Sequence, residues 1–442
     1  MNIEEIINPQ KKTTEIIEAL REKSIILPHW SKLEKEYEPT KHPIMNKALY
    51  PDIIEEDGSL TEVTRVTYAL QKLAVKRLRE LCYGIPVKRV YNNAEDSDEL
   101  KAAADAMDAI FRKARVDAKN NESATGLFAS CETMRVWYAE EKPITYGKWQ
   151  SKLRLRCANF SPMRGDELYP LFDEYGDLIA ISVQYKRRVK GKDVTYFETW
   201  TAEKHYRWSN EEQSEMTLVL EQQTIGKIPV IYMWRPQPAW EDTSGIVYEM
   251  EWAMSRNGNY LRDNSRPLFT VFADEEIPFG NEPKANDGHG KGILKYPKGS
   301  NAQYVTWQQA VDSLKFHITE LRQIFFTQLQ LPDWSFDNMK AVPQSGESMK
   351  QMFIDAVLKV ADEKAVLEEF HDREVSVIKE FMKSIEPSMS DVIDDLDVET
   401  VITPCMLDTQ AEASAEEGGM VVDGTRVQTD EANGPRVIQS TN

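Results

Sequence analysis

Apolar residues recur at steps of three and four between residues 311 and 381, with one interruption. Val311, Leu314, Ile318, Leu321 and Phe325 place an apolar face on a first helix. Phe353, Ala356, Val360, Leu367, Phe370, Val377 and Phe381 repeat nearly the same rhythm on a second helix, which is expected to open after Gln344-Ser345-Gly346-Glu347-Ser348. Pro332, Asp333 and Trp334 break the pattern, and Pro343 marks the far side of the gap. As one helix, residues 345–383 would run about 57 Å at about 1.5 Å per residue. A helix of that length spans layers, supports a neighbour or packs into an assembly.

Upstream, Ile16, Ile17 and Leu20 predict a short amphipathic helix, and residues 31–60 read as loop. Helices are predicted over 60–82, 97–113 and 120–131. From residue 133 the period changes to two. Strands are predicted over 134–139, 152–157, 178–185, 194–200 and 216–220, with hairpins around Gly176 and Gly191. A linker with Pro229, Pro236 and Pro238 leads to a helix over 245–264. Short strands over 268–273, 292–295 and 302–307 surround a polar loop at 281–292. The predicted class is α+β.

The chain has 442 residues, enough for two or more domains. Its net charge of −19 is uneven, because residues 385–442 hold thirteen acidic residues against two arginines. That balance excludes a tightly DNA-wrapping protein but permits DNA passing through an acidic channel. The last thirty residues are poor in apolar side chains, and residues 416–442 are expected to be disordered. Four cysteines, at 82, 131, 157 and 405, form no C-x-x-C pair and are expected to be buried free thiols. No apolar h-region opens the chain and no run of 18 apolar residues occurs, so a soluble intracellular protein, or part of something assembled inside a cell, is expected.

Enzyme motifs are missing. There is no Walker A element, G-x-G-x-x-G, H-E-x-x-H or G-x-S-x-G. His289 beside Asp287 does not make a metal site, and His317 and His371 are expected at a surface or interface. Asp391, Asp394, Asp395, Asp397 and Glu399 read as a solvated acidic segment. No catalytic residue, metal or cofactor is expected. Lys186, Arg187, Arg188, Lys190 and Lys192 put five bases in seven positions, and alternation would send all but Arg187 to one side of a hairpin. That patch suits phosphate or an acidic partner, and equally a hairpin edge protected by charge. The stretch after Leu331, with Asp333, Trp334, Phe336, Asp337 and Lys340, is an aromatic and charged loop between two strong helices.

Gln330-Leu331-Pro332-Asp333-Trp334 followed by Gln344-Ser345-Gly346-Glu347-Ser348-Met349-Lys350 resembles tailed-bacteriophage portal proteins of the SPP1 type, with Ser348 where that family commonly has alanine. Cys82-Tyr83-Gly84-Ile85-Pro86-Val87 and Gly226-Lys227-Ile228-Pro229-Val230-Ile231 also resemble family segments, and the likeness covers residues 60–385. The resemblance implies a portal fold: a mixed α/β wing at 1–240, stem helices at 241–264 and 311–329, and a small α/β clip at 265–310. It further implies a tunnel loop at 330–345, a long wing helix at 346–384, and a short crown remnant or tail at 385–442. It makes Asp333, Trp334, Phe336, Asp337 and Lys340 DNA-proximal, and Trp252, Met254, Phe269 and Trp307 subunit contacts.

The function so implied is a head-to-tail connector, a ring of about twelve subunits at one capsid vertex for packaging, retention and ejection of DNA. Its implied partners are further copies of itself, the terminase large subunit, a head-tail adaptor, and the major capsid and scaffolding proteins. Double-stranded DNA would pass through without sequence-specific binding. The implied place is the virion, after assembly in the host cytoplasm, with no membrane involved. A non-portal structural or adaptor protein of a phage particle is the alternative, and a metal-dependent nucleic-acid enzyme a remote one.

Overall fold

The computed structural model describes residues 3–8, 10–23, 25–54, 58–212, 215–263, 268–272, 301–305, 311–333, 353–405, 421–422 and 425–426. In chain order, helices α1 (Ile3–Ile6), α2 (Thr13–Leu20) and α3 (Trp30–Tyr37) precede two short strands, β1 (Ile53–Ile54) and β2 (Leu60–Thr61). Helix α4 (Leu70–Tyr83), strand β3 (Lys88–Tyr91) and helices α5 (Asp98–Ala114) and α6 (Val116–Ser130) follow. A run of strands comes next: β4 (Glu132–Tyr146), β5 (Trp149–Phe160), β6 (Glu167–Phe172), β7 (Leu178–Val189), β8 (Lys192–Thr201), β9 (Lys204–Ser209), β10 (Thr217–Gln223) and β11 (Val230–Trp234). Then come α7 (Ser244–Asp263), β12 (Leu268–Phe272), β13 (Asn301–Val305), α8 (Val311–Gln328), α9 (Ile354–Ile385), α10 (Ser390–Asp395) and β14 (Val398–Val401). The fold mixes helix and antiparallel sheet, as the change of period predicts.

The chain divides into two compact units. The first joins Met1–Lys41, Ala69–Ser244 and Phe325–Asn442, and the second joins His42–Tyr68 and Gly245–Ile324.

In the first unit, β6 to β10 form a five-stranded meander in sequential order, and β11, β4 and β5 form a three-stranded sheet. Successive side chains along each strand point to opposite faces of the sheet. Met134, Val136, Val230 and Tyr232 of the smaller sheet meet Leu168, Ile181, Val183, Tyr185 and Trp200 of the larger. On the other face of the larger sheet, Leu171, Ala180, Phe197 and Trp208 pack against Ile6, Ile16, Ile17 and Leu20. The far face of the smaller sheet carries Arg135 and Trp137, which reach the helical layer that includes α6 and α9. Ser97 caps α5, its Oγ accepting the Leu100 amide at 3.1 Å, while Asp98 and Glu99 open the helix and Arg112 and Lys113 close it. Both predicted hairpins form: Gly176 (φ 90°) and Gly191 (φ 83°) supply left-handed backbone at the turns.

Several expectations need correction. Strands β6 and β9 fall between the predicted strand ranges, and β11 lies in the stretch read as linker; Pro170 is tolerated because β6 is an edge strand. The helix expected from residue 60 starts at Leu70, because residues 60–61 pair with β1 and the amides of Thr64, Val66 and Tyr68 bond side chains of α7. Helix α9 runs 32 residues, about 48 Å; residues 345–352, where its start is expected, lie outside the described residues. The start of the acidic C-terminal segment is folded, because β14 pairs with β3 and α10 packs against α5 and α9 with Ile393 buried. The strand expected at 292–295 and the loop at 281–292 also lie outside the described residues. Cys82, Cys131 and Cys157 are buried free thiols, and Cys405 is half-buried. Among the described residues, no helix is long and apolar enough to cross a membrane.

Candidate functional site

The described start of the loop expected at 330–345 is built by the end of α8. Gln330 takes a left-handed conformation, φ 52°. Its amide donates to the Thr327 carbonyl at 3.1 Å, and the Leu331 amide reaches back to Phe326 at 3.0 Å. This is the Schellman pattern, in which a left-handed residue satisfies the last helical carbonyls. Leu329 and Leu331 are buried, and Pro332 prevents the helix from continuing. Arg77 on α4 then fixes the exit. Its guanidinium donates to the Pro332 carbonyl, lies 3.8 Å from the Asp333 carboxylate and sits 4.7 Å above the Phe326 ring. Asp333 is therefore tied at its root, whereas Trp334, Phe336, Asp337 and Lys340 lie outside the described residues.

The basic run is split by its own turn. Lys190 (φ 49°) and Gly191 (φ 83°) are the two turn residues, the type I′ geometry that suits a two-residue hairpin. Val189 stands opposite Lys192 and Arg188 opposite Asp193. Crossing a two-residue turn reverses parity, so Lys186 and Arg188 share one face while Arg187 and Lys192 share the other. That corrects the expected four-residue stripe. Arg187 lies 4.8 Å over the Tyr185 ring and lines a cleft of about 640 Å³ with Glu198, Trp200, His205 and Arg207. Burial pushes the Glu198 carboxyl up, but hydrogen bonds from His205 (2.8 Å) and Tyr185 and the Arg207 charge outweigh it, and it stays below its ordinary value.

The densest polar centre of the first unit lies beneath the smaller sheet. Arg135 is fully buried. It donates to Glu374 at 2.7 Å, Asn120 at 2.9 Å, Asn159 at 3.0 Å and Ser123 at 3.1 Å. Trp137 Nε1 donates to the same Glu374 oxygen at 2.9 Å. His371 lies 3.4 Å from the other carboxylate oxygen and 3.1 Å from the Tyr83 hydroxyl. This centre joins α4, α6, β4 and α9. His371 is thus a core residue, not the surface or interface residue its sequence position suggests.

Burial acts first on both titratable groups here. It raises the Glu374 carboxyl, but the Arg135 charge and the His371 contact outweigh it and hold the group at about 2. It lowers His371, although Glu374 pulls the other way. In each case the unfolded chain binds protons more readily, so the stabilisation is lost as pH falls. Loss through His371 begins below about 6.5, and loss through Glu374 begins below about 4.3 and continues towards 2. Acid unfolding followed by circular dichroism is therefore expected to begin near pH 6, and His371→Phe to remove the upper part of that drift. An unchanged pH profile for His371→Phe would contradict this assignment.

In the second unit, the chain from Val63 to Tyr68 is laced onto α7. The amides of Thr64, Val66 and Tyr68 donate to Asn259 (2.6 Å), Ser255 (2.8 Å) and Glu251 (2.8 Å). Two extended residues advance about 6.6 Å and four helical residues about 6.0 Å, so acceptors at i, i+4 and i+8 meet alternate amides. Gly258 permits the approach, since a Cβ there would fall 2.7 Å from Thr64 Cγ2. Glu251 also takes His42 Nδ1 at 2.7 Å, deep in the unit. Of the predicted subunit contacts, Trp252 is exposed on α7 beneath the Arg256 guanidinium at 5.2 Å, and Met254 is half-buried. Phe269 pairs in register with Tyr304 across β12 and β13, and Trp307 lies outside the described residues.

Among the described residues no group of three His, Cys, Asp or Glu side chains could hold a metal ion. Within the acidic C-terminal segment, Asp394 pairs with Lys383 at 2.6 Å and Asp397 accepts from Asn92 at 3.0 Å. Sequence reading missed the Arg135 centre and the laced segment. The run Val63, Thr64, Val66, Thr67 carried a signal for the second, being rich in β-branched residues.

A family model described as phage portal protein, SPP1 Gp6-like, matches residues 20–427. No curated protein matches the chain. Among solved structures, a chain from the neck of an empty gene transfer agent particle, computed with C6 symmetry, is 9% identical with a TM-score of 0.40, covering 85% of this chain and 88% of that one. A chain from the virion of a native gene transfer agent particle is 9% identical with a TM-score of 0.39, covering 91% of each.

Proposed function

On the premise that this chain belongs to the SPP1 Gp6-like phage portal protein family, we propose that its copies form a ring channel at one capsid vertex. The chain is a phage portal protein and a component of the virion. The observation that carries the finer reading is the extent of the family match, residues 20–427, nearly the whole chain. A head-to-tail connector must let a duplex slide, so it cannot grip phosphates all round. A net charge of −19 agrees with a repulsive wall. In this reading α7 and α8 contribute the stem, β12 and β13 belong to the clip, and α9 belongs to the wing. The segment 330–345 lines the narrowest part of the channel, its exit direction set by Arg77. The terminase large subunit and a head-tail adaptor engage the clip in turn, and capsid and scaffolding proteins surround the wing. About twelve copies close the ring after assembly in the host cytoplasm. The basic hairpin meets an acidic partner surface rather than the DNA.

Electron microscopy of the purified full-length protein tests the reading. Class averages showing closed rings with a duplex-wide hole are expected. A monodisperse monomer across a range of salt concentrations would overturn it. In a packaging reaction, Arg77→Ala is expected to leave rings intact and lower DNA uptake about tenfold, because the loop root loses its anchor. Unchanged uptake by Arg77→Ala rings would remove the segment from the channel wall.

A further inference from the structure

The larger sheet of the first unit ends on an open strand. Strand β10 pairs with β9 on one side and, among the described residues, with no strand on the other. After a bulge at Val219 its ladder is regular, with Leu220 opposite Arg207 and Gln222 opposite His205. The Thr224 amide donates to the Glu203 carbonyl at 2.8 Å, so the even-numbered residues of this stretch turn their backbone to β9. The amides and carbonyls of Glu221 and Gln223 therefore face the open side. Edge strands are ordinarily guarded by proline, lysine or unpaired charge. The opposite edge of the sheet has Pro170 in β6. Strand β10 has neither proline nor lysine, its one charged side chain, Glu221, pairs with Lys204 at 2.7 Å, and Leu218 and Val219 are exposed.

That edge borders the cleft of about 640 Å³, which both sheets line. Leu220 and Gln222 form its rim on β10, Trp200 and His205 lie on the same sheet, and Val136 and Phe160 line it from the smaller sheet. Gln222 bonds the His205 ring at 3.1 Å, which puts Leu220 and Gln222 on the cleft side of β10. A strand added beside β10 would carry every second side chain into that space, where the aromatic and aliphatic walls stabilise apolar groups. Charge narrows the choice further. Glu198 already takes Arg207 at 2.9 Å and His205 at 2.8 Å. Arg187, exposed over the Tyr185 ring, lines the same cleft and makes no ion pair among the described residues. It is the cation left for an incoming carboxylate.

We propose that the open edge of β10 accepts an extended segment of a partner protein as a further strand, with alternate apolar side chains in the cleft and an acidic one on Arg187. The test uses the full-length protein and a fluorescein-labelled peptide of alternating threonine and valine in which one valine is replaced by glutamate. Fluorescence anisotropy is expected to show binding, weakened about tenfold when the glutamate is exchanged for lysine or when the protein carries Arg187→Ala. Gln223→Pro removes an outward amide that β9 does not use, so the circular dichroism spectrum should stay unchanged while binding falls about tenfold. Hydrogen exchange is the direct readout. The Glu221 and Gln223 amides should exchange freely in the protein alone and become protected when the peptide is added. Protection of both amides without peptide, no binding of the peptide, or binding that leaves both amides exchanging would each overturn the strand addition. Equal binding of the glutamate and lysine peptides would overturn the acidic character of the partner.

Discussion

Glu374→Ala is expected to destabilise the first unit by about 3–5 kcal/mol, the cost of leaving a buried guanidinium without its counter-charge. Arg135 has no exposed surface through which water could replace the carboxylate. Its remaining partners, Asn120, Asn159 and Ser123, are neutral and do not balance a full charge. Trp137 loses its acceptor in the same step. Hydrogen exchange should show the loss in residues 132–137 and 367–382, which face each other across this centre. Glu374→Gln should lose less, because a neutral amide oxygen can still accept. The double change Arg135→Met with Glu374→Leu should recover much of the loss, since an apolar pair of similar volume carries no desolvation cost. A change of under about 1 kcal/mol for Glu374→Ala would show that Arg135 is not isolated there.

The second large effect falls in the other unit. Glu251→Ala is expected to cost about 2–4 kcal/mol locally, because it removes the acceptor for the half-buried Tyr68 amide and for His42 Nδ1 at once and leaves a cavity. Asn259→Ala and Ser255→Ala each remove one acceptor nearer the outer end of the lacing and should cost about 1 kcal/mol apiece. Protection of residues 63–68 in hydrogen exchange should fall in that order. Uniform loss across all three variants would mean that the segment is held by packing rather than by its amides.

Local signals carried much of the fold. The apolar repeat over 97–113 marked α5, and Gly176 and Gly191 marked two turns, because each needs only neighbouring residues to act. The failures have tertiary causes. Residues 60–69 have helical periodicity, yet Glu251, Ser255 and Asn259, nearly two hundred residues on, offer their amides better acceptors than a helix would. Lys192 was placed on the wrong face because alternation is a rule within a strand and a two-residue turn reverses it. Arg135 and Glu374 stand 239 positions apart, and no spacing rule couples them. The portal resemblance came from short ordered motifs, and the family match over residues 20–427 bears it out. Of the residues that the resemblance makes DNA-proximal, only Asp333 stands in a described position.

The pairing of β14 with β3 sets a schedule for synthesis. Strand β3 leaves the ribosome early, yet its partner is encoded some 300 residues later. The second unit's described segments end at residue 324, so they can emerge in full while the first unit still lacks α9 and β14. At about 5–20 residues per second, the roughly 160 residues between the end of the sheet region and β14 take about 8–30 s to appear. For most of that interval Arg135 waits for Glu374, and the helical face of the smaller sheet stays open. A nascent chain in that state is a client for a holding chaperone, and premature termination before residue 374 would yield a protein with an unpaired charge at its centre.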